Sequence, residues 1–186
     1  MTPDEIKTKL KAILKESRYL HSLSVAKTAE SLAQKYGADP GKAYIAGLVH
    51  DCAKCFTTEE LLDKMDGYNI KPDSETLASP PLWHSFVGAY EAKEVYGIED
   101  EEIFDAIYYH TLGKEKMPLL TAIIYLADAI EPMRNYPGVE LIRSQAGKSL
   151  EKAIYLYTMG TIDYVKRRGL KLHPNALKVR DYYSQF

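Results

Sequence analysis

Apolar residues recur along this chain at spacings of three, four and seven, the period of a helix face, and no stretch shows the alternation of a half-buried strand. The chain is therefore predicted to be all-α. A first helix is expected from about Pro3 to Lys15, and a second from about Ser17 carries His21, Val25, Leu32 and Tyr36 on one stripe before Gly37 stops it. Asp39 and Pro40 supply an N-cap and first turn for a helix expected to run through GLVHDCAK to about Lys54. Thr57 and Glu60 form a capping box for the next, with Gly67 at its end. A polar, Pro-containing loop follows, able to cover a site. Further helices are expected over about Leu82–Tyr96, Asp100–His110, Met117–Pro132 and Lys148–Arg168, with a short last one from His173.

With 186 residues, 46% of them hydrophobic, the chain suffices for one well-filled domain, 1–186, and is short for two. A net charge of -2 without a basic run speaks against a broad nucleic-acid surface. No segment approaches the roughly 20 apolar residues of a membrane span, and the polar start MTPDEIKTKLK lacks a signal-peptide centre. A cytoplasmic protein without membrane contact is expected. Two cysteines are too few for a disulfide framework.

The run IIYLADAIEP places Asp128 in the middle of an apolar helix. A buried carboxylate is strongly destabilising unless it is paired, neutralised or metal-bound. Candidate companions exist: His21, His50, His84 and His110 all fall on helical segments, at least His21 and His110 on apolar faces, and Asp51 follows His50 directly. Any one such histidine is more often a satisfied core residue. The set points instead to imidazoles and carboxylates converging on a divalent cation. Neighbours on a helix project about 100° apart, so His50 and Asp51 share an ion only if it lies between them.

The order His21, His50-Asp51, His84, His110, Asp128 resembles the HD-domain metal-dependent phosphohydrolases, in the version with two extra histidines. Four stretches, AGLVHDCAK, SPPLWHSFVGA, HTLGKEKM and IIYLADAIEPMRNYPGVELIR, are similar to the bacterial YqeK-type HD hydrolases, which cleave diadenosine tetraphosphate symmetrically into two ADP. The chain departs from that family at Leu112, where a second threonine is common. The resemblance implies an HD-domain helical bundle with a metal-binding core over about 18–132 and C-terminal helices over 139–186. It implies a metal-dependent phosphohydrolase in which His21, His50, Asp51 and Asp128 hold one ion, His84 and His110 a second, and Asp51 bridges. One or two divalent ions are expected, iron first, with manganese, cobalt or zinc also suited to such ligands. Two such cations would stabilise both oxygens of an in-line phosphoryl displacement and activate water.

Asp51 and Lys54 are the expected catalytic pair, Lys54 reaching phosphate from the metal-bearing face of a continuing helix. Gly47 is expected to leave space beside Asp51. Substrate contacts are expected from Lys54, from Arg134 as a bidentate phosphate ligand, and from Thr111, Gly113 and Lys114 after His110. Trp83 and Tyr136 are candidates to stack on adenine. The substrate would be a nucleotide with an ADP- or GDP-like product, and a homodimer is left open. Other HD nucleotide phosphohydrolases and a non-catalytic nucleotide-binding factor are the alternatives.

Three motifs read as decoys. Cys52-Ala-Lys-Cys55 has no second cysteine pair and no preceding strand, so both cysteines are packing residues. Gly147-Lys148-Ser149 lacks the first glycine of a P-loop and is read as a helix start. His173 stands outside the metal order and serves the last helix or a surface contact.

Overall fold

Seven of the eleven α-helices begin at a capping side chain: Thr2, Asp39, Thr57, Asp73, Asp100, Ser149 and His173. The computed structural model, which describes residues 1–186, has eleven α-helices and two 3-10 turns. Helix α1 (Pro3–Ile13) starts from a Thr2–Glu5 capping box, and α2 (Glu16–Tyr36) ends at Gly37, whose φ of 79° is the left-handed cap that glycine takes without strain. Asp39 Oδ1 accepts from the N–H groups of Gly41 and Lys42 at 2.8 and 3.0 Å and opens α3 (Pro40–Val49). Thr57 and Glu60 form the expected box at α4 (Thr58–Gly67). The left-handed turn beyond α4 falls on Asn69 rather than on Gly67, which stays helical.

The segment after Asn69 holds a four-residue helix, α5 (Ser74–Leu77), and a 3-10 turn over Pro80–Leu82. Then come α6 (Trp83–Glu94), α7 (Glu101–Tyr109) and α8 (Leu119–Ile130). Helices α9 (Val139–Ala146), α10 (Leu150–Arg167) and α11 (Pro174–Tyr183) complete the chain. Ser149 caps α10, so the Gly-Lys-Ser stretch is a helix start. His173 caps α11 through Nδ1, which accepts from the Asn175 N–H, while Nε2 lies 3.1 Å from Thr76 Oγ1. No helix is long and apolar enough to cross a membrane.

Helix α8 occupies the middle, with α2, α3, α7, α9 and α10 against it. Residues 120–127, 129 and 130 of α8 are buried, while Asp128 between them is partly exposed at the edge of the core. A smaller cluster of Ala53, Leu61, Met65, Ile70, Trp83, Phe86 and Val87 fills the space beneath α4 and α6.

The α2–α3 contact is the most extensive between helices. It depends on Gly47: a Cβ there would lie 2.6 Å from Ala26 Cα and 2.9 Å from Ala26 N, both backbone atoms. The room expected beside Asp51 is thus taken by α2, and Gly47 sets the approach of two backbones. Gly47→Ala is expected to destabilise the protein by about 3 kcal/mol, the upper part of the usual overpacking range, because neither helix can give way locally. Urea unfolding of the two proteins measures it, and equal midpoints would refute the close-approach argument.

Helix α3 ends at Val49 instead of running to Lys54. His50 is its C-cap, Asp51 adopts φ -108°, ψ 18°, near the sparsely populated bridge region, and Cys52–Cys55 form a 3-10 turn. This break changes the angle between His50 and Asp51 and lets both face the same interior point.

Candidate metal centre and active site

The four imidazoles come from α2, the end of α3, α6 and the end of α7, and each is fixed through its Nδ1. His50 Nδ1 lies 2.8 Å from Gly47 O, His84 Nδ1 2.8 Å from Pro81 O, and His110 Nδ1 2.7 Å from Ile107 O. A carbonyl oxygen only accepts, so these three nitrogens carry the proton and, in a neutral ring, Nε2 is left with a lone pair. His21 Nδ1 is 3.1 Å from Glu131 Oε1. This arrangement, a second ring nitrogen tied to a carbonyl or carboxylate, is the usual support of metal-ligating histidines.

All four Nε2 atoms converge on two carboxylates. Asp51 Oδ2 lies 3.5 Å from His50 Nε2 and 3.8 Å from His21 Nε2, while Oδ1 lies 3.2 Å from His84 Nε2 and 3.5 Å from His110 Nε2. Asp128 Oδ1 is 2.9 Å from His21 Nε2 and 3.8 Å from His50 Nε2. The His84 and His110 Nε2 atoms stand 3.3 Å apart. His21 Nε2 and His50 Nε2 are buried without a hydrogen bond of acceptable geometry. Lone pairs facing one another and carboxylate oxygens at these distances repel unless protons or cations lie between them.

The electrostatics keep both carboxylates ionised. Burial pushes the His84 pKa down to about 4 against the pull of Asp51, so that ring is neutral and its lone pair free. Burial would raise the Asp51 carboxyl, but the surrounding imidazoles, His50 first and then His110 and His84, hold it well below the usual carboxylate range. Asp128 is likewise held down, against its burial, by His21, His50 and Arg134. The donors fall into groups of three whose ligand atoms lie within 4.8 Å of one another: His21-His50-Asp51, His50-His110-Asp128 and Asp51-His84-His110. Four imidazoles and two carboxylates in overlapping triads can hold one or two divalent ions, which explains the carboxylate in the apolar run of α8.

Residues 18–133 match the model of the HD domain family. The chain belongs to the HD-domain family. It is 38% identical over 176 residues to the symmetrical bis(5'-nucleosyl)-tetraphosphatase of Bacillus subtilis (strain 168), covering 95% of this chain and 94% of the relative. The protein of the same name from Halalkalibacterium halodurans is 39% identical over 168 residues, with 90% of this chain and 89% of that one covered. Among solved structures, an HD superfamily hydrolase from Clostridium acetobutylicum, described as involved in NAD metabolism, superimposes with a TM-score of 0.96 at 40% identity, covering 100% of this chain and 98% of that one.

Around this HD centre the expected substrate contacts fare unevenly. Lys54 lies on the 3-10 turn, exposed, and lines a cavity of about 240 Å³ with Phe56, Thr58, Pro80, Pro81 and His84. Crowding by protein, together with Arg18 and Arg134, lowers its pKa against the pull of Asp51 and Asp128. Thr111 Oγ1 is 2.9 Å from Ser85 Oγ. The Gly113 N–H is consumed by Tyr109 O at 2.8 Å, and a Cβ at Gly113 would sit 3.2 Å from both Tyr125 Cε2 and Val179 Cγ2, so this glycine packs rather than binds. Lys114 pairs with Asp105 at 2.8 Å and covers the Tyr109 ring.

The ring of Trp83 is buried, its Nε1 donating to Thr76 O at 2.8 Å, which removes it as an adenine platform. Arg134 and Tyr136 are engaged at the end of α8: Arg134 Nε donates to Asp128 O at 2.7 Å and its NH2 to the Asp128 carboxylate, and Tyr136 Oη donates to Ala129 O at 2.9 Å. Both are committed to helix carbonyls that would otherwise be orphaned. Two neighbours of the centre escape the sequence analysis. Arg18 NH1 lies 2.7 Å from Asp51 Oδ2, and Glu131, buried, orients His21. Each sits three residues from a candidate ligand, Arg18 before His21 on the same face of α2 and Glu131 after Asp128, just past the end of α8.

Proposed function

We propose that this HD protein hydrolyses diadenosine tetraphosphate at its central P–O–P bond, giving two ADP. The observation that carries the reading is the meeting of four buried Nε2 atoms and two carboxylates, a donor set suited to divalent cations. His21, His50, Asp51 and Asp128 would hold one ion, and His84 and His110, sharing Asp51, would hold the other. The ligand set suits Fe, Mn, Co or Zn, and we take iron as the resident metal. When bound, such ions neutralise phosphoryl oxygens and lower the pKa of water toward neutrality.

The chain's own residues do the rest. The oxygen of water bonds to one of the two inner phosphorus atoms, the bridging oxygen departs with the other, and both protons of water are released as the two new terminal phosphates ionise. Lys54, at the mouth of the cavity that His84 lines, supplies positive charge to the polyphosphate. Arg18, half-exposed and 2.7 Å from Asp51 Oδ2, is a second cation beside the centre. The similarity to symmetrical tetraphosphatases over nearly the whole chain supports the choice of bond. Metal-reconstituted protein incubated with diadenosine tetraphosphate is expected to yield ADP as the sole product, read by chromatography. AMP with ATP would refute the symmetrical cleavage, and no turnover of any nucleotide would refute the enzyme.

A further inference from the structure

We propose that Arg143 is a positioning residue for the metal centre: from α9 it holds the C-terminal end of α8, and so sets the places of Asp128 and of Glu131, the partner of His21. The inference rests on the metal reading of that centre and assigns a part to a residue outside it.

The end of a helix leaves its last carbonyls without intrahelical partners. At α8 the chain cannot continue, because Glu131 precedes Pro132 and is held extended at φ -51°, ψ 152°. The backbone acceptors at this helix end are met one by one by side chains from further along the chain. Asp128 O receives Arg134 Nε and Ala129 O receives Tyr136 Oη. Arg143 takes the rest: its Nε donates to Ile130 O at 2.8 Å, and its NH2 donates to Glu131 O at 2.7 Å and to Arg134 O at 2.8 Å.

One guanidinium therefore bridges the backbone carbonyls of the last residue of α8, of the glutamate whose carboxylate orients His21, and of the arginine that pairs with Asp128. Its NH1 is occupied by Glu140 on the same helix, so little of the fork remains for a ligand. Ile130 and Glu131 are both buried, and water cannot simply replace the lost donors. A cation at a helix C-terminus is also favoured by the helix dipole. Lysine, a point charge on a flexible stem, cannot reproduce three bonds set by a planar fork.

The test compares wild type, Arg143→Lys and Arg143→Met, each stripped of metal and titrated with Co(II), reading both affinity and the visible spectrum, alongside thermal midpoint, kcat and KM. Affinity is expected to fall about 10–100-fold, the range for lost support of a metal ligand. The cobalt spectrum should change, kcat should fall with KM held, and lysine should recover part of the loss seen with methionine. Variants that melt earlier but keep wild-type cobalt affinity, spectrum and kcat would overturn the proposal, leaving Arg143 a packing residue. Should methionine prevent folding, the lysine variant decides alone by the same readings. A wild-type protein that takes up no cobalt would instead sink the metal reading beneath it.

Discussion

Asp51→Asn is expected to lower kcat by about a thousandfold or more while leaving the fold in place. Asp51 is the one residue whose two oxygens face different imidazole pairs, His21 and His50 on one side, His84 and His110 on the other. The amide keeps the volume but removes the charge, and it turns an N–H₂ group toward one of the pairs. A metal's stabilisation of transition-state charge is worth several kcal/mol, and about 4 kcal/mol corresponds to a thousandfold in rate. Steady-state kinetics at saturating metal, with circular dichroism to verify the helices, measures it. A variant within tenfold of wild type would mean that Asp51 bridges nothing.

Removing the metal should have the other large effect, on activity and stability together. Chelation is expected to abolish turnover, and added Fe, Mn, Co or Zn to restore it in proportion to occupancy. Because the centre exists only when α2, α3, α6, α7 and α8 are assembled, ions bind the folded chain and not the unfolded one. At a metal concentration a thousandfold above Kd this adds about 4 kcal/mol. For a chain of this size that is a rise of about 8–16 °C in thermal midpoint. Differential scanning calorimetry with and without chelator reads the shift. Identical midpoints and undiminished turnover after exhaustive chelation would contradict the metal-dependent mechanism.

The all-α architecture and the six convergent side chains were legible because buried polar residues on helical stripes violate the expected pattern, and each violation demanded a partner. His21 among Val25 and Leu32, and Asp128 among isoleucines, show this most plainly. The substrate side was less legible. Arg134, Tyr136 and Lys114 follow ligands closely in sequence and look available, yet helix ends need donors and acidic neighbours need cations, and those local demands claim all three. Trp83 is drawn into the small cluster under α4 by its own apolar area. The stop at Val49 leaves no mark in periodicity, since His50 and Asp51 continue the apolar stripe while the backbone leaves the helix. Arg18 and Glu131 were missed for a different reason: a charge on a helix reads as solvated until a facing helix is known.

The imidazoles differ in how far along the chain their orientation is secured. Three are braced by the carbonyl of a residue three positions earlier, so each segment carries its own instruction for aiming its ring. His21 alone takes its bearing from Glu131, 110 positions away. Three-quarters of the aim is thus inherited with the local turn and survives whatever happens elsewhere, while the last quarter must await docking of α8 onto α2. Drift in the distant parts of the molecule, through mutation or partial opening, would reach the chemistry first through that ring.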